Sequence, residues 1–380
     1  MPDFFATCPR GLEKLLADEL NSFGAADVRI GAGGIAFTGD WPTCYRINLQ
    51  SRLASRILWR VKEATRFRSE DDVYKAVYDL PWTRWFDVDN TILVKVTAIK
   101  CPLKSLEFIT LKIKDAVCDK FRAEKNARPS VAKLEPDMRI HAFFEGEQFT
   151  LYLDTSGDAL YKRGVRTHTN IAPLRENLAA GILMMTGWKP DIPLLDPMCG
   201  SGTFLIEAAQ MSLNIMPGIA RHFAFEKLKN FDARTWNAMR EAAIAAQKPV
   251  GALPIYGSDL YGDALKAAHQ NLEEAGIRET VDLKQCNALE ASPPEQEGIL
   301  IANLPYGERM GDEDELAGLY PKLGDALKKK FGGWNAYLFT ADLRIAKLMR
   351  LTPSKRTPLY NGAIECRLFE YKIVAGSNRK

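Results

Sequence analysis

Two stretches of the 380-residue sequence hold residue types that chemistry needs, at spacings a fold could exploit. The first is GILIANLPYGER, from Gly298 to Arg309. Ile299, Leu300, Ile301 and Ala302 form the short apolar run of a buried strand, and Asn303, Leu304, Pro305 and Tyr306 interrupt it. A turn needs only the amide and the proline. The tyrosine suggests that something flat is held there. The second stretch is LLDPMCGSGTFLIEAA, which sets Asp196, Gly200, Ser201, Gly202 and Thr203 between an expected strand and an expected helix. In a doubly wound sheet ligands sit at the carboxyl ends of the strands, where glycines let the backbone approach them.

The spacing excludes two familiar loops. Leu205 breaks the dinucleotide fingerprint G-x-G-x-x-G, and no lysine follows to make a phosphate-binding loop. Asp196 at the strand end would repel a pyrophosphate and attract an amine. The ligand implied is cationic or zwitterionic, which suits the amino-acid end of S-adenosylmethionine. Asp259, ending PIYGSD, can accept both hydroxyls of a ribose; its bland alternative is a helix N-cap. Asn287, in KQCNAL, is expected to end the third strand and to face an adenine edge.

The elements that must position these residues follow from periodicity. After about residue 173, strand and helix patterns alternate for some 200 residues: a helix from Pro173 to Gly187, IPLLDP, a helix over 202–214, an extra helix around 233–247, PIYGSDL, a helix over 262–275, VDLKQCNA, GILIANLP, a helix over 313–331 and NAYLFTA. That alternation predicts an open, mostly parallel sheet with helices on both faces. A closing pair of strands joined around Asn361–Gly362 predicts an antiparallel hairpin at one edge. The first 160 residues instead mix short strands, helices and a hairpin turning at Glu145–Gly146–Glu147, an α+β pattern.

Composition narrows the class. Hydrophobic residues make up 46% and charged residues 26%, the balance of a globular protein. Apolar runs fall far short of the ~18–20 residues that cross a bilayer, and the acid-containing amphipathic start is unlike a signal peptide, so a cytosolic protein without membrane contact is expected. The seven cysteines include no C-x-x-C pair and the four histidines are scattered, so no metal is expected. Net charge is only +3, but it is clustered: residues 51–68 carry six basic residues and one acid, and residues 159–175 four basic residues and no acid. Such clusters suit a phosphate backbone, whose neutralisation releases counterions, or else a solvated helix face. The expected nucleic-acid contacts are Arg52, Arg56, Arg60, Lys112, Lys162, Arg163 and Arg166.

DPMCGSGT with NLPYGER resembles the class I S-adenosylmethionine-dependent methyltransferases that modify exocyclic amines. FFATCPRGLEKLLADEL, SRLASRILWRV and LDTSGDALYKRGVR resemble a ferredoxin-like segment followed by a THUMP RNA-binding domain. Together they are similar to the family of bacterial 23S rRNA guanine-N2 methyltransferases, whose members also carry the label of N6-adenine-specific DNA methylases. The resemblance covers nearly the whole chain. It implies an α/β fold: a ferredoxin-like segment over 1–60, a THUMP domain over 61–160, and over 161–380 a Rossmann-like class I methyltransferase domain with a seven-stranded, mostly parallel sheet. It implies S-adenosylmethionine contacts from Asp196, Pro197, Cys199, Gly200, Gly202, Thr203 and Asp259, with Ala172 to Ala180 over the methionine end. Many members have Asp at the position of Asn287, and an amide oxygen can serve the same adenine amino group. Some members carry a second methyltransferase domain, an activity expected to be absent from a chain of this length.

The chemistry the resemblance implies can be stated residue by residue. An exocyclic amine is a poor nucleophile because its lone pair is delocalised into the ring. Asn303 Oδ1 and the Leu304 carbonyl could each accept one N–H and turn the lone pair towards a sulfonium methyl. Pro305 would stiffen the loop, and Tyr306 would stack on a base swung out of its helix. The more familiar form of the motif has proline where Leu304 stands, but the contact uses only the backbone carbonyl. The partner expected is 23S rRNA or a ribosome assembly intermediate. The alternatives are a DNA adenine-N6 methyltransferase, against which the absence of a helix-turn-helix or zinc finger argues, and a non-catalytic RNA-binding assembly factor.

Overall fold

The structure, a computed structural model, describes residues 1–31, 33–163, 174–305 and 313–374, with 313–317 by backbone alone. It has two compact units. The first is Met1–Cys8, Leu16–Leu160 and Arg221–Ala242; the second is Pro9–Leu15, Tyr161–Ala220 and Ala243–Lys380. In chain order the elements up to residue 154 are β1 (Asp3–Thr7), α1 (Glu13–Ser22), β2 (Ala26–Gly31), β3 (Gly34–Thr38), α2 (Trp41–Gln50), β4 (Arg56–Arg66), α3 (Glu70–Tyr78), α4 (Trp82–Trp85), β5 (Ile92–Ile99), α5 (Leu106–Lys125), β6 (Met138–Glu145) and β7 (Gln148–Asp154). The strands pair in the order β2-β3-β1-β4-β7-β6-β5, all antiparallel except β5 with β6. β4 runs across residue 60, so one continuous sheet serves residues 1–60 and 61–160 alike. Side chains cap the helices where the chain turns into them: Asp40 accepts from Thr43 N (2.8 Å), Ser69 and Asp72 close a reciprocal box, and Ser105 accepts from Phe108 N (3.1 Å). Helix α5 buries Ile109, Ile113, Ala116, Val117 and Phe121, the helical spacing of one apolar face.

Arg221–Ala242 lies late in the sequence and completes the core of the first unit. The Phe225 ring stacks on Tyr45 with centroids 4.5 Å apart, Phe231 and Trp236 meet Tyr45 edge-on, and Phe225 N donates to Thr155 O (3.0 Å). The extra helix expected around 233–247 is α8 (Ala233–Ala245).

The second unit contains α6 (Glu176–Met185), β8 (Leu194–Asp196), α7 (Thr203–Ser212), β9 (Ile255–Asp259), α9 (Gly262–Glu274), β10 (Asp282–Gln285), β11 (Ile299–Asn303), α10 (Glu313–Lys330), β12 (Asn335–Thr340), α11 (Ile345–Leu348), β13 (Lys355–Asn361) and β14 (Ile364–Lys372). Its seven strands run β10-β9-β8-β11-β12-β14-β13. All pairs are parallel except those of β14, which is antiparallel to both β12 and β13 and forms the expected edge hairpin. The chain winds outward from β8 to β10, then returns to β11 on the other side of β8, which makes a switch point between β8 and β11. Two boundaries differ from expectation. Helix α6 begins at Glu176, and Pro173 lies outside the described residues. Strand β10 ends at Gln285, so Asn287 lies in the turn beyond it.

Within the first basic cluster, Arg56 is engaged inside the fold. Arg56 Nη1 bonds Asp154 Oδ2 and donates to Gly157 O (2.5 Å), tying β4 to the end of β7. Asp154 is fully buried; its Oδ1 accepts from Ser156 N (2.9 Å) and Gly157 N (3.2 Å), and His141 Nε2 lies 3.5 Å from Oδ2. Burial pushes this carboxyl up, but His141, the Arg56 charge and the Ser156 N–H outweigh it and hold the carboxyl below its usual range. Arg52 is buried, and its backbone N–H donates to Glu19 Oε1 (2.9 Å). Arg60 pairs with Asp3 of β1 (3.0 Å). Arg56 thus ties β4 to the end of β7. Removing one partner of a buried pair leaves the other charge uncompensated. Arg56→Ala is expected to destabilise the protein by on the order of 3 kcal/mol in denaturant unfolding. Because the folded pKa of Asp154 is depressed, that loss should shrink as pH falls through the folded value and both states become protonated.

Candidate active site

Strand register decides which side chains share a face. Leu195 pairs with Leu300 and Asp196 with Gly257. Side chains alternate along a strand, so Asp196, Asp259 (two beyond Gly257) and Asn303 (three beyond Leu300) fall on one face at the carboxyl edge. Helix α7 covers this face: a Cβ on Gly257 would meet Leu205 Cδ1 at 2.4 Å, so only glycine admits the helix so closely. The other face carries Leu195, Leu300, Ala302, Leu304 and Leu338 into a core with Tyr320, Leu323 and Leu327 of α10.

The loop from β8 to α7 is fastened at each step. Asp196 Oδ1 accepts from Met198 N (3.1 Å), which turns the chain at Pro197. Cys199 N donates to Ser258 O (2.9 Å), Gly200 N to Asp259 Oδ2 (2.9 Å), and Gly202 N to Cys199 O (2.8 Å). Asn271 Nδ2 reaches over from α9 to Ser201 O (3.0 Å). Gly200 and Gly202 have φ of +55° and +83°, a conformation that disfavours side chains. Thr203, buried, opens α7. Asp259 Oδ1 accepts from Tyr261 N (3.0 Å), so this carboxylate both turns the chain into α9 and holds the glycine loop. Ribose hydroxyls would use its remaining lone pairs. The Gly200 and Asn271 links join residues 59 and 70 apart in sequence, and neither was visible in the motifs. Asn287 Oδ1 accepts from Leu289 N (3.0 Å), so part of its acceptor capacity already shapes the turn after β10.

Two features of the site are electrostatically unsatisfied. Asp196 is buried, and no cation pairs with it among the described residues. Burial first, then the charge of Asp259, raises its pKa well above the ordinary carboxylate value. Burial and the same two acids push the Cys199 thiol up as well, which disfavours its thiolate. Asn303 Oδ1 is buried and has no hydrogen-bond partner among the described residues. Leaving such an acceptor unmade costs about 1–3 kcal/mol. Next to it, Leu304 is fully buried and its N–H donates to Phe339 O (2.9 Å), while Pro305 is half-buried. Tyr306 and Arg309 lie outside the described residues.

Of the other expected nucleic-acid contacts, Lys162 is exposed. Lys112 bonds Asp71 (2.8 Å) and lies over the Tyr74 and Phe108 rings. Arg163 is buried, with Nε donating to Glu207 Oε1 of α7 (3.1 Å). Arg166 lies outside the described residues. Among the described residues no three His, Cys, Asp or Glu side chains gather as a metal site, and no helix is long and apolar enough to cross a membrane.

A sheet of this order with one antiparallel strand, and a glycine loop after its first strand, is the fold of the class I methyltransferases. Family models match residues 163–370 (RMKL-like, methyltransferase domain), 3–58 (RlmL ferredoxin-like domain) and 67–154 (THUMP domain). The chain belongs to the RMKL-like methyltransferase domain family. It is 40% identical over 386 residues to the ribosomal RNA large subunit methyltransferase K/L of Shewanella sp. (strain ANA-3), covering all of this chain and 54% of that protein. The chain thus spans about half the length of the curated relatives it matches. Among solved structures, SMU.472, a candidate methyltransferase crystallised with SAH, is 30% identical with a TM-score of 0.88 over 98% of both chains. A predicted N6-adenine-specific DNA methylase from Listeria monocytogenes str. 4b F2365 is 28% identical with a TM-score of 0.87, over 98% of this chain and 96% of that one.

The raised pKa of Asp196 has a testable sign. The folded value stands above the unfolded one, so between them the folded state binds more protons and stability falls as pH rises. Asp196→Asn in the ligand-free protein is expected to raise the melting temperature at pH 8 by on the order of a few degrees. The gain should vanish near pH 4, around the ordinary carboxylate value. Thermal scans of both proteins across pH check this.

Proposed function

We propose that this protein transfers a methyl group from S-adenosylmethionine to the exocyclic N2 amine of a guanosine in 23S rRNA. Residues 1–60 and 61–160, ferredoxin-like and THUMP, would bind RNA, and residues 161–380 would carry the chemistry. The observation that carries the reading is Asn303 Oδ1: a buried acceptor without a donor among the described residues, on the face and at the sheet edge that also hold Asp196 and Asp259. The matched RNA-binding and methyltransferase family models and the rRNA methyltransferase name of the Shewanella relative support the substrate class. An rRNA substrate would set the reaction in the cytoplasm.

The residues fit the cofactor chemically. The buried, cation-free carboxylate of Asp196 suits the cationic amine of the amino-acid end. Pro197, Cys199, Gly200, Gly202 and Thr203 form the loop beneath it, Asp259 offers lone pairs to the ribose, and Asn287 stands after β10 for the adenine. S-adenosylmethionine supplies an electrophilic methyl group on a sulfonium. Asn303 Oδ1 and the Leu304 carbonyl each accept one N–H of the target amine, which aims the nitrogen lone pair. As positive charge develops on that nitrogen, the two oxygens stabilise it, and the proton then leaves to water. The Leu304 N–H bond to Phe339 O holds the carbonyl in place. Pro305 limits the turn, and Tyr306 stacks on the extruded base.

The test is tritium transfer from labelled cofactor to rRNA, to ribosome assembly intermediates and to DNA. Transfer to DNA alone would overturn the rRNA reading in favour of adenine-N6 methylation, and cofactor binding without transfer would favour a non-catalytic RNA-binding protein. Asn303→Ala is expected to lower transfer at least ~10²-fold, the scale of losing one transition-state acceptor, with cofactor affinity within a few-fold. Collapse of cofactor binding would instead make Asn303 structural.

A further inference from the structure

The first sheet is packed on one face and open on the other. Ile140, Ala142 and Phe144 of β6 and Leu151 and Leu153 of β7 are buried, while His141, Phe143, Thr150 and Tyr152 between them are half-buried. Paired residues on neighbouring strands share a face, so the outward side chains stand in rows. Lys95 of β5 pairs with His141, His141 with Tyr152, and Tyr152 with Arg60 of β4. In the next row Thr97 pairs with Phe143, and Phe143 with Thr150. Strands lie ~4.8 Å apart, so the row from Lys95 to Arg60 spans about 14 Å. Three rings therefore sit on the two strands in the middle of the row, and a cation stands at each end.

The charges on this face are not fully matched. Arg56 faces Asp154, Arg60 pairs with Asp3, and Arg139 with Asp158. Lys95 is exposed and forms no ion pair among the described residues. Partial desolvation first, and then the Arg56 and Arg139 charges, pull its ammonium below the usual lysine value. An anion beside Lys95 would offset that repulsion. The rings are held as firmly as the charges: His141 Nε2 lies 3.5 Å from the buried Asp154 carboxylate, and Tyr152 packs against Phe5 with centroids 6.1 Å apart. Rings on a sheet flanked by cations suit unpaired bases, because every base has a π-face and every linkage carries a negative charge. A peptide strand would use the backbone N–H and C=O groups of a sheet edge, which this face does not offer.

We propose that the open face of the first sheet seats an unpaired stretch of the RNA substrate, with bases stacked on His141, Phe143 and Tyr152 and backbone phosphates at Lys95 and Arg60. This deepens the proposed function and rests on it. Stacking needs exposed base faces, which a duplex keeps covered, so this face selects single-stranded over paired RNA. Nothing on it reads base edges, so it holds the substrate by form and leaves the choice of nucleotide to other contacts.

The test measures binding of a labelled single-stranded rRNA fragment, and of the same fragment annealed to its complement, to the full chain across a salt series. Tyr152→Leu, which keeps an apolar side chain in the sheet, is expected to weaken single-strand binding roughly tenfold, the scale of one lost stack, with the salt slope kept. Phe143→Leu should act in the same way. Lys95→Ala, at an exposed position, should reduce the single-strand slope by about 0.7. Duplex binding should be weaker from the start and unchanged by Tyr152→Leu, and cofactor affinity should stay within twofold in every variant. Unchanged single-strand affinity in folded Tyr152→Leu and Phe143→Leu proteins would overturn the assignment and leave the face to another partner, such as a protein. Equal losses on duplex and single strand would also overturn it, because stacking would then play no part. Either result leaves the rRNA reading intact. If the unsubstituted protein binds and methylates no RNA, that reading falls and takes this surface with it.

Discussion

The site depends on the parity of three parallel strands. Pairing of Leu195 with Leu300 and of Asp196 with Gly257 puts Asp196, Asp259 and Asn303 on one face. A slip of one residue in β11 would bury the Asn303 amide among leucines and send Ala302 to the ligand edge. The opposite face prevents that slip. Leu300, Ala302 and Leu304 are locked there against Trp334, Leu338 and Leu323. The apolar packing under the sheet thus maintains the polar geometry above it.

Leu304 shows how the two layers meet in one residue. Its side chain fills the core while its backbone lies in the proposed catalytic turn. The familiar proline at this position would lack the N–H that here bonds Phe339 O. In this chain a ladder bond and a buried side chain restrain the turn instead. The buried oxygen of Asn303, which has no partner among the described residues, and the buried Asp196 carboxyl, which has only the Met198 N–H, are the complementary cost.

What the sequence made legible was local. The individual strands and helices of the alternation, the glycine loop, the acids ending β8 and β9 and the closing hairpin are local patterns, and each corresponds to an observed element. What it hid was tertiary. Arg56 looks like part of a basic display until Asp154, 98 residues on, is brought beneath it. Arg163 meets Glu207 across 44 residues, and Gly200 meets Asp259 across 59. Runs of one charge cannot reveal which members fold inward. One overlooked signal was present: Phe223, Phe225, Phe231 and Trp236 crowd a stretch that the strand–helix alternation leaves without a partner.

That stretch has a consequence in time as well as in space. A chain made from its amino end usually folds its first domain as soon as that domain has emerged. Here the first seven-stranded sheet is complete at Asp154, but the rings that cover Tyr45 are Phe225, Phe231 and Trp236. Until they are synthesised, Tyr45 has the Trp41 ring beside it but not these three. Pro9–Leu15, made among the very first residues, groups with a unit whose strands begin only at Leu194. The first unit therefore completes its core only after Arg221–Ala242 has been made, whereas the early segment of the second unit is already present when its strands emerge.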